Sequence, residues 1–440
     1  MKFKTRLATL LFTTTTAILA QEVAFEEYDL DNGLHVILHQ DNAAPVVTTS
    51  VMYHVGAKDE DPSRTGFAHF FEHLLFEGTK NIERGEWFKI VSSNGGQNNA
   101  NTTQDRTYYY EVFPSNKLDL GLWLESERLM HPVINQIGVD TQKEVVQEER
   151  RMRYDNSPYG RWQEQMGIHL FKKHPYKWQT IGSLEHLATA SLEDFQNFNK
   201  TYYIPNNAVL VVAGDINITA TKKMVKDYFG PIPKGATIER KHIEEDPITQ
   251  TIKASYNDPN IQIPAVFAGY RTPKSTDRDA YILDMISTYL SDGKSSKLYK
   301  KLVDLEKKAL QVFAFNISQE DYGTYIIGAL PLGENTLPDL LTEIDEEILK
   351  IQNELISEKD YQKIQNKFEN QFVNANSSIS GIANSLARNY MLYDNTALIN
   401  TEIEIYRSIT REEIQAVAKK YLNKNQRVEL EYLPGEQTGK

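Results

Sequence analysis

The sequence contains no cysteine, and this absence narrows the chemistry that the chain can carry. It excludes disulfide bonds, a zinc site built from thiolates, and a lipid anchor on a cysteine. Stability does not require disulfides here, because a chain of 440 residues can bury a sizeable core. The length is sufficient for two or three domains of ordinary size.

Long hydrophobic runs and an excess of positive charge are also absent from most of the chain. After the first twenty residues, no stretch is apolar enough over a sufficient length to span a bilayer. The formal net charge is -12 at pH 7, which argues against nucleic acid and anionic membrane surfaces as partners. We therefore predict a protein without a membrane span that does not bind nucleic acid.

The first twenty residues differ from the rest of the chain. Lys2, Lys4 and Arg6 precede an apolar, threonine-rich run that ends at Ala20. This arrangement is typical of a secretory signal peptide. We predict that residues 1–20 are a signal peptide and that the mature protein is periplasmic or secreted. The alternative is a disordered or buried N-terminal segment.

Residues 67–77 combine a helical pattern with side chains that can bind a metal. The apolar residues recur at helical spacing: Phe67, Phe70, Phe71, Leu74 and Leu75. His69 and His73 are four residues apart, so they share one side of the helix and can bind one zinc ion. Glu72 lies beside them and suits a general base. The alternative is a buried helix with two hydrogen-bonded histidines and a surface glutamate.

Strand-like and helical segments alternate along the chain, with a polar break near its middle. The pattern predicts strands at 34–38, 46–53, 107–113 and 208–215, and helices at 118–130, 140–154 and 191–203. The last of these helices begins with Ser-Leu-Glu-Asp, which fits a capping box. The polar, proline-punctuated stretch 236–262 is predicted to be a linker. It separates a domain at 21–235 from a domain at 263–440.

The second half of the sequence repeats the pattern of the first. Two pairs of segments match: those that begin at Ser191 and Thr410, at an offset of 219, and Leu75–Gly78 with Leu290–Gly293, at an offset of 215. We infer a duplication; chance similarity between two amphipathic helix–strand units is the alternative. At the offset of 215, His69 falls on Asp284, and no histidine follows His242. The repeat therefore lacks imidazole ligands.

A third metal ligand is expected, because a catalytic zinc usually has three protein ligands. The predicted helix 140–154 presents four residues on one face: Val145, Val146, Glu149 and Met152. Glu144 and Glu148 are predicted to point to solvent. Glu149 is thus the carboxylate that faces inward. The residues alone leave this reading equal to its alternative, a surface salt bridge between Glu149 and a neighbouring arginine.

The motifs resemble those of the pitrilysin or insulinase family of inverted-zincin metallopeptidases. The resemblance rests on the His-Phe-Phe-Glu-His sequence at 69–73, the Leu-Leu-Phe-Glu-Gly-Thr that follows, and Val-Val-Gln-Glu-Glu ending at Glu149. It is closest to the short branch of bacterial and mitochondrial-processing-peptidase-like subunits. It implies that His69, His73 and Glu149 bind one Zn²⁺ per chain and that Glu72 is the general base. With the segment pattern, it predicts an α+β fold of two duplicated domains, each a mixed β-sheet packed with helices.

The resemblance also suggests how a peptide substrate binds and how the metal site is supported. It implies that Asn99 and Ala100 lie on an edge strand that receives the substrate by β-augmentation; an ordinary turn asparagine is the alternative. Many relatives carry a second glutamate where this chain has Gln142. An amide there can still hold a hydrogen bond around the metal site, but it adds no charge.

A larger departure from the family pattern lies in the second half. Relatives usually supply an arginine and a tyrosine that hold the scissile region of the substrate. Val303 stands where the arginine is expected, and Val312, or Leu310 without a gap, stands where the tyrosine is expected. None of these side chains can donate a hydrogen bond to an oxyanion. We therefore expect a related partner subunit to supply these groups.

The sequence thus predicts an exported zinc metalloendopeptidase that cleaves peptides or unfolded segments. Zinc-activated water would be the nucleophile, with Glu72 as the base. The chain would be the zinc subunit of a hetero-oligomer. One alternative is a non-catalytic structural or assembly subunit of the same fold. Another is metal-dependent hydrolysis of a non-peptide ester.

Overall fold

The computed structural model describes residues 22–435, in which two mixed β-sheets are packed with helices. The predicted signal peptide lies outside the described residues. The strands are β1 Glu26–Asp29, β2 His35–Gln40, β3 Val46–Tyr53, β4 Gln97–Thr102, β5 Thr107–Pro114, β6 Ala208–Gly214, β7 Ile252–Asp258, β8 Ala265–Thr272, β9 Ala309–Ile317, β10 Gly323–Pro331 and β11 Arg427–Pro434. The predicted α+β fold class is confirmed.

Fourteen helices among the described residues cover the two sheets. They are α1 Phe67–Leu74, α2 Trp87–Ser93, α3 Leu118–Met130, α4 Gln136–Arg150, α5 Trp162–Leu170, α6 Leu184–Thr189, α7 Leu192–Tyr202, α8 Ile218–Phe229, α9 Arg278–Ser291, α10 Leu337–Asn353, α11 Glu358–Ala375, α12 Ile379–Tyr393, α13 Leu398–Ser408 and α14 Arg411–Tyr421. The predicted capping box of α7 is present, with Ser191 and Asp194 bonded to each other's backbone N–H groups. Every helix among residues 22–435 is too short or too polar to cross a membrane.

Apart from β1, the strands of the first sheet have the same order as those of the second, as a duplication predicts. The first sheet has the order β1-β2-β6-β3-β5-β4 and the second has the order β7-β11-β8-β10-β9. Each has one parallel pair, β2 with β6 and β7 with β11, and its other pairs are antiparallel. Strand β4 is therefore an edge strand of the first sheet, and β9 is its counterpart in the second.

In each half of the chain, one helix packs on the sheet of the other half. Helix α12 packs on one face of the first sheet through a cluster that includes Ile382 and Leu386. Helix α5 packs on the second sheet, where the ring of Trp162 stacks on that of Phe267 at 5.2 Å. Helix α12 begins 217 positions after α5, close to the repeat offsets. The two corresponding helices thus each pack on the sheet of the other half, and this packing holds the two halves together.

The stretch predicted as a linker, 236–262, is only partly irregular. Residues 236–251 contain no helix or strand, but Ile252–Asp258 form β7 at the edge of the second sheet. Its side chains alternate between partly buried and exposed positions, as expected for an edge strand. The C-terminal part of the stretch therefore belongs to the second sheet and is not a linker.

A charged cluster joins the loop between β9 and β10 to the first half. The ammonium of Lys58 contacts three carboxylates: Asp105 at 3.3 Å, Glu320 at 2.8 Å and Asp321 at 2.9 Å. Glu320 also contacts the ring of His54 at 2.8 Å. Lys58 is largely buried, so screening by solvent is weak and the cluster holds the two halves in contact.

Candidate metal centre and active site

Helix α1 is amphipathic, and its two sides have different roles. Its apolar side chains are buried in the core of the first half: Phe67, Phe70, Phe71 and Leu74. The rings of Phe67 and Phe70 each lie 4.5 Å from the ring of Phe195 on α7. This packing fixes the rotation of the helix about its axis. His69, Glu72 and His73 are thereby directed away from the core.

Buried charged residues hold both ends of α1. At the N-terminus, the carboxylate of Glu60 accepts hydrogen bonds from the N–H groups of Gly66 and Ala68, both at 2.9 Å. At the C-terminus, the guanidinium of Arg128 donates to the carbonyl of Leu75 at 3.1 Å. These charges also complement the helix dipole. A helix of eight residues needs such support, because isolated helices of this length are marginal.

Arg128 is itself the centre of a fully buried cluster. Its guanidinium contacts Glu111 at 2.9 Å and Glu125 at 3.1 Å, and all three side chains are shielded from solvent. Three aromatic rings surround it at 4.2 to 4.5 Å: Phe76, Trp87 and Tyr109. The cluster connects α3 and β5 to the end of α1.

The structure brings the three predicted metal ligands together. Oε2 of Glu149 on α4 lies 3.6 Å from Nε2 of His69 and 3.2 Å from Nε2 of His73. One donor atom from each residue lies within 4.8 Å of the others. No second group of this kind occurs within residues 22–435. Two imidazoles and a carboxylate are a donor set of catalytic zinc sites, which leave a further position open. The residues present therefore fit Zn²⁺.

The protonation states of these residues also suit a cation. Burial and the neighbouring His73 lower the pKa of His69 to about 4, so its ring is neutral at pH 7. Burial alone would raise the pKa of Glu149, but the contact with His73 and the charges of the histidines and Arg153 lower it. Neutral imidazole and ionised carboxylate are the forms that bind metal.

The predicted metal ligands differ in the hydrogen bonds and ion pairs that support them. The guanidinium of Arg153 contacts Oε1 of Glu149 at 2.8 Å and so orients this carboxylate from the solvent side. The Nδ1 atom of His69 is buried and has no hydrogen-bond partner among the described residues. Gln142 donates to Oε1 of Glu77 at 2.6 Å, while its own amide oxygen is buried without a partner in the same part of the chain. Gln142 thus contacts a carboxylate rather than the three ligands.

The side chain of Glu72, the predicted base, extends from α1 to the edge strand β4. Its Oε2 accepts a hydrogen bond of 2.7 Å from the hydroxyl of Thr102. Burial raises the pKa of Glu72, while the hydrogen bond from Thr102 and the charge of His73 lower it in part. The net direction is upward. Glu72 therefore holds a proton more readily than an ordinary glutamate does.

Asn99 and Ala100 lie on β4, an edge strand of the first sheet. Ala100 is buried against the core beside α1, whereas Asn99 is exposed. The side-chain oxygen of Asn99 accepts a hydrogen bond of 2.9 Å from the N–H of Ala100. The strand pairs with β5 on one side and has no strand on its other side within the described residues.

Helix α4 differs from its predicted form at both ends and on one face. It begins at Gln136, because Asn135 caps it by accepting from the N–H of Gly138, and it ends at Arg150 in a π-helical turn. Val146 is buried and Glu149 faces inward, but Val145 and Met152 are exposed. The prediction that these two share the buried face was wrong, because α4 lies at the surface and buries only a narrow stripe. Glu144 and Glu148 point to solvent, as predicted.

The positions expected to hold an arginine and a tyrosine do not form a polar site. Val303 packs against the core of the second half, and Val312 is buried in it. Leu310 is half exposed. None of them can donate a hydrogen bond, so the sequence-based expectation of missing groups agrees with the surroundings of these residues.

The chain is similar to proteins of a known peptidase family. Residues 35–182 match the family described as "Insulinase (Peptidase family M16)", and residues 189–368 match "Peptidase M16 inactive domain". The chain belongs to peptidase family M16. The zinc protease PqqE of Helicobacter pylori is 32% identical over 304 residues, which cover 68% of this chain and 68% of that protein.

Solved structures of this family share the fold. The crystal structure of a protease from Helicobacter pylori has a TM-score of 0.89 at 28% identity and covers 94% of this chain and 100% of that one. The first half of the periplasmic protease PqqL from Escherichia coli has a TM-score of 0.77 at 19% identity, with coverage of 95% and 94%. The latter likeness shows the fold alone.

Several residues that support the site were not found from the sequence. Glu60, Arg128 and Thr102 each touch α1 or its base, but they lie 6 to 53 positions from the atoms that they contact. Arg128 follows Glu125 and Glu127 in α3, so its charge gave no distinct signal. Sequence spacing alone does not show which element such a residue meets.

Proposed function

We propose that this M16 peptidase is a zinc-dependent endopeptidase that cleaves extended peptide segments. The observation that supports this most directly is the approach of His69, His73 and Glu149 to within 4.8 Å, with Glu72 on the same helix. The exposed edge of β4 beside Glu72 supports an extended substrate.

The three ligands and the base have separate roles in this mechanism. Zn²⁺ held by His69, His73 and Glu149 would supply a Lewis acid that makes water a nucleophile at neutral pH. Glu72 accepts the proton of the attacking water and passes it to the nitrogen of the leaving amine. Its raised pKa helps the first step, because a more basic carboxylate accepts the proton of water more readily. Thr102 keeps Oε2 of Glu72 in place throughout.

The peptide would bind as an added strand on β4. Main-chain groups at an open sheet edge can pair with an extended chain. The N–H of Ala100 now donates to the amide oxygen of Asn99. In the complex, this N–H would donate to a carbonyl oxygen of the substrate instead. Binding would displace the side chain of Asn99 and place the scissile bond near Thr102 and Glu72. An extended segment fits this geometry.

Two further features of the proposal concern location and assembly. The sequence of residues 1–20 and the periplasmic relative PqqL support export of the mature protein. The apolar surroundings of Val303 and Val312 support a related partner subunit that supplies the missing arginine and tyrosine. Cleavage of peptides by a purified single chain at several turnovers per second, an ordinary rate for an enzyme, would contradict the proposal of a partner subunit.

Replacing Glu72 with glutamine tests the catalytic role. The amide keeps the size of the side chain and can still accept from Thr102, but it cannot take a proton. We expect zinc content to stay unchanged and kcat/KM for a peptide to fall roughly 10²- to 10⁴-fold. Glu83→Gln, at an exposed position, is the matched control and should cleave normally. Unchanged cleavage by Glu72→Gln would remove this residue from the mechanism. Absence of cleavage by every form of the chain, even with the related partner subunit present, would favour a structural subunit.

A further inference from the structure

The second half contains a polar cavity at the position that corresponds to the metal site. At the repeat offset of 215, His69 corresponds to Asp284 on α9, and Asn101 on β4 corresponds to Asn316 on β9. Asn316 donates to Oδ1 of Asp284 at 3.0 Å. A cavity of about 220 Å³ opens beside this contact. The duplicated site has thus lost its imidazoles but has not been filled.

The cavity is lined by one more acidic side chain than basic side chains. Two carboxylates, Asp284 and Glu402, line it, together with one guanidinium, that of Arg388. Arg388 pairs with Glu402 at 3.3 Å. Asp284 accepts from the hydroxyl of Tyr406 at 3.2 Å, but within residues 22–435 it forms no ion pair. Burial raises the pKa of Asp284 to about 7, while the hydrogen bonds from Asn316 and Tyr406 oppose this shift.

Two other features of the cavity wall indicate which kind of ligand would fit. The hydroxyl of Ser275 lines the cavity, is 5% exposed as a residue, and has the hydroxyl of Tyr393 nearby but no hydrogen-bond partner within 3.5 Å among the described residues. Three tyrosine rings complete the wall: Tyr281, Tyr393 and Tyr406. The faces of aromatic rings attract cations. A ligand that donates hydrogen bonds and carries positive charge would satisfy both features.

We propose that this cavity binds a primary ammonium group. An ammonium has one positive charge and three donors, which suit the carboxylate of Asp284 and the hydroxyl of Ser275. A divalent metal fits less well, because the guanidinium of Arg388 in the same wall repels a double positive charge more strongly than a single one. A peptide can present such a group on a lysine side chain or at its amino terminus. The proposal concerns binding alone and holds whether or not the chain hydrolyses peptides.

A neighbouring cavity that extends toward the candidate active site supports a peptide as the carrier of the ammonium. A second cavity of about 430 Å³ shares Arg388 and Leu392 with it and extends to Thr103 and Arg106. Those residues directly follow β4. The second cavity therefore lies beside the proposed ammonium site, on the side of the loop that follows β4.

Binding of n-butylammonium to the full zinc-loaded chain tests the proposal without using activity. Glu72→Gln serves as the background, and ligand-observed NMR at pH 8 as the readout. We expect saturable binding, which Asp284→Asn weakens by at least about tenfold. Glu404→Gln, two residues from Glu402 on α13 and exposed, is the matched control and should bind normally. Equal binding of n-butanol, no saturable binding, or full binding by Asp284→Asn would overturn the proposal.

Ser275→Ala provides a second variant that does not depend on the folding of Asp284→Asn. Removing a buried hydroxyl that lacks a partner should leave the fold as stable as before or more so. It should nevertheless weaken n-butylammonium binding severalfold. A stable Ser275→Ala chain with unchanged affinity would contradict the proposed role of the hydroxyl and hence the site.

The pH dependence supplies an independent check. The charged and titratable side chains around Asp284 are Tyr281, Tyr325, Arg388, Tyr393, Glu402 and Tyr406. Tyrosine and arginine do not titrate between pH 8 and pH 6. As pH falls through about 7, Asp284 takes up a proton and loses its attraction for a cation. Affinity should fall up to about tenfold from pH 8 to pH 6, and a constant affinity would refute the role of Asp284.

Two small peptides distinguish the sources of the ammonium. Nα-acetyl-lysine methylamide offers a side-chain ammonium alone, and norleucine methylamide offers only an α-amino group, which is about half protonated at pH 8. Binding that depends on Asp284 by either compound supports the site and identifies the source. Failure of both compounds to compete with n-butylammonium would refute a peptide-borne ligand.

Discussion

Replacing Arg128 with methionine should strongly destabilise the fold around α1. The guanidinium is fully buried and contacts Glu111, Glu125 and the carbonyl of Leu75 at 2.9 to 3.1 Å. Methionine fills much of the same space but leaves two buried carboxyl groups without a cation. Removing one partner of a buried ion pair costs roughly 3–5 kcal/mol. An exposed pair, such as Arg151 with Glu148 at 3.0 Å, is worth about 0–1 kcal/mol.

The pH dependence of this loss has a defined sign. Burial and the charge of Glu125 raise the pKa of Glu111, and Arg128 opposes this shift. Without Arg128 the pKa of Glu111 rises further. A carboxyl whose pKa is higher in the folded state costs stability as pH rises above its unfolded value. The deficit of Arg128→Met should therefore be larger at pH 8 than at pH 5.

Urea unfolding followed by circular dichroism measures both effects. Arg151→Met, which removes the same group from an exposed pair, is the matched control and should lie within about 1 kcal/mol of the wild type. The reasoning would be refuted if Arg128→Met were as stable as this control. It would also be refuted if the deficit grew as the pH was lowered.

Two further predictions concern the base and the contact between the halves. Thr102→Val should move the acid limb of the kcat/KM profile to higher pH, because the hydrogen bond from Thr102 lowers the pKa of Glu72; an unchanged acid limb would exclude this contact from catalysis. Against the effect of burial, His54 and Lys58 lower the pKa of Glu320 to about 2. Its contribution to stability is thus present above the unfolded value near 4.5 and is lost as pH falls toward 2. Lys58→Met should reduce this acid sensitivity in calorimetry, and an unchanged profile would contradict it.

Local patterns were sufficient to predict the central helix and its histidines. The apolar residues of α1 recur at helical spacing, which places His69 and His73 on the same side as Glu72. Position 149 was harder, because α4 has apolar residues on more than one face. Val145 and Met152 suggested a broad buried face, whereas the helix buries a stripe that includes Val139, Val146 and Arg150. The resemblance to known peptidases, and not periodicity, selected Glu149.

Long-range contacts account for what the sequence did not predict. Glu60 and Arg128 support α1 from separate elements, and nothing in their neighbours indicates this. The exchange of α5 and α12 between the sheets likewise depends on tertiary packing and not on local preference. The cavity at Asp284 lies where the repeat was predicted to lack metal ligands, but sequence alone did not show that the space stays open.

The zinc content of the purified chain tests the central claim most directly. We would measure it after dialysis against zinc-free buffer for the wild type, for Glu149→Ala and for Glu148→Ala, whose carboxylate is exposed on the same helix. We predict about one zinc ion per chain for the wild type and for Glu148→Ala, and a clear loss for Glu149→Ala, because a catalytic zinc site needs its third protein ligand. A Glu149→Ala chain that retains as much zinc as the wild type would contradict the site described here.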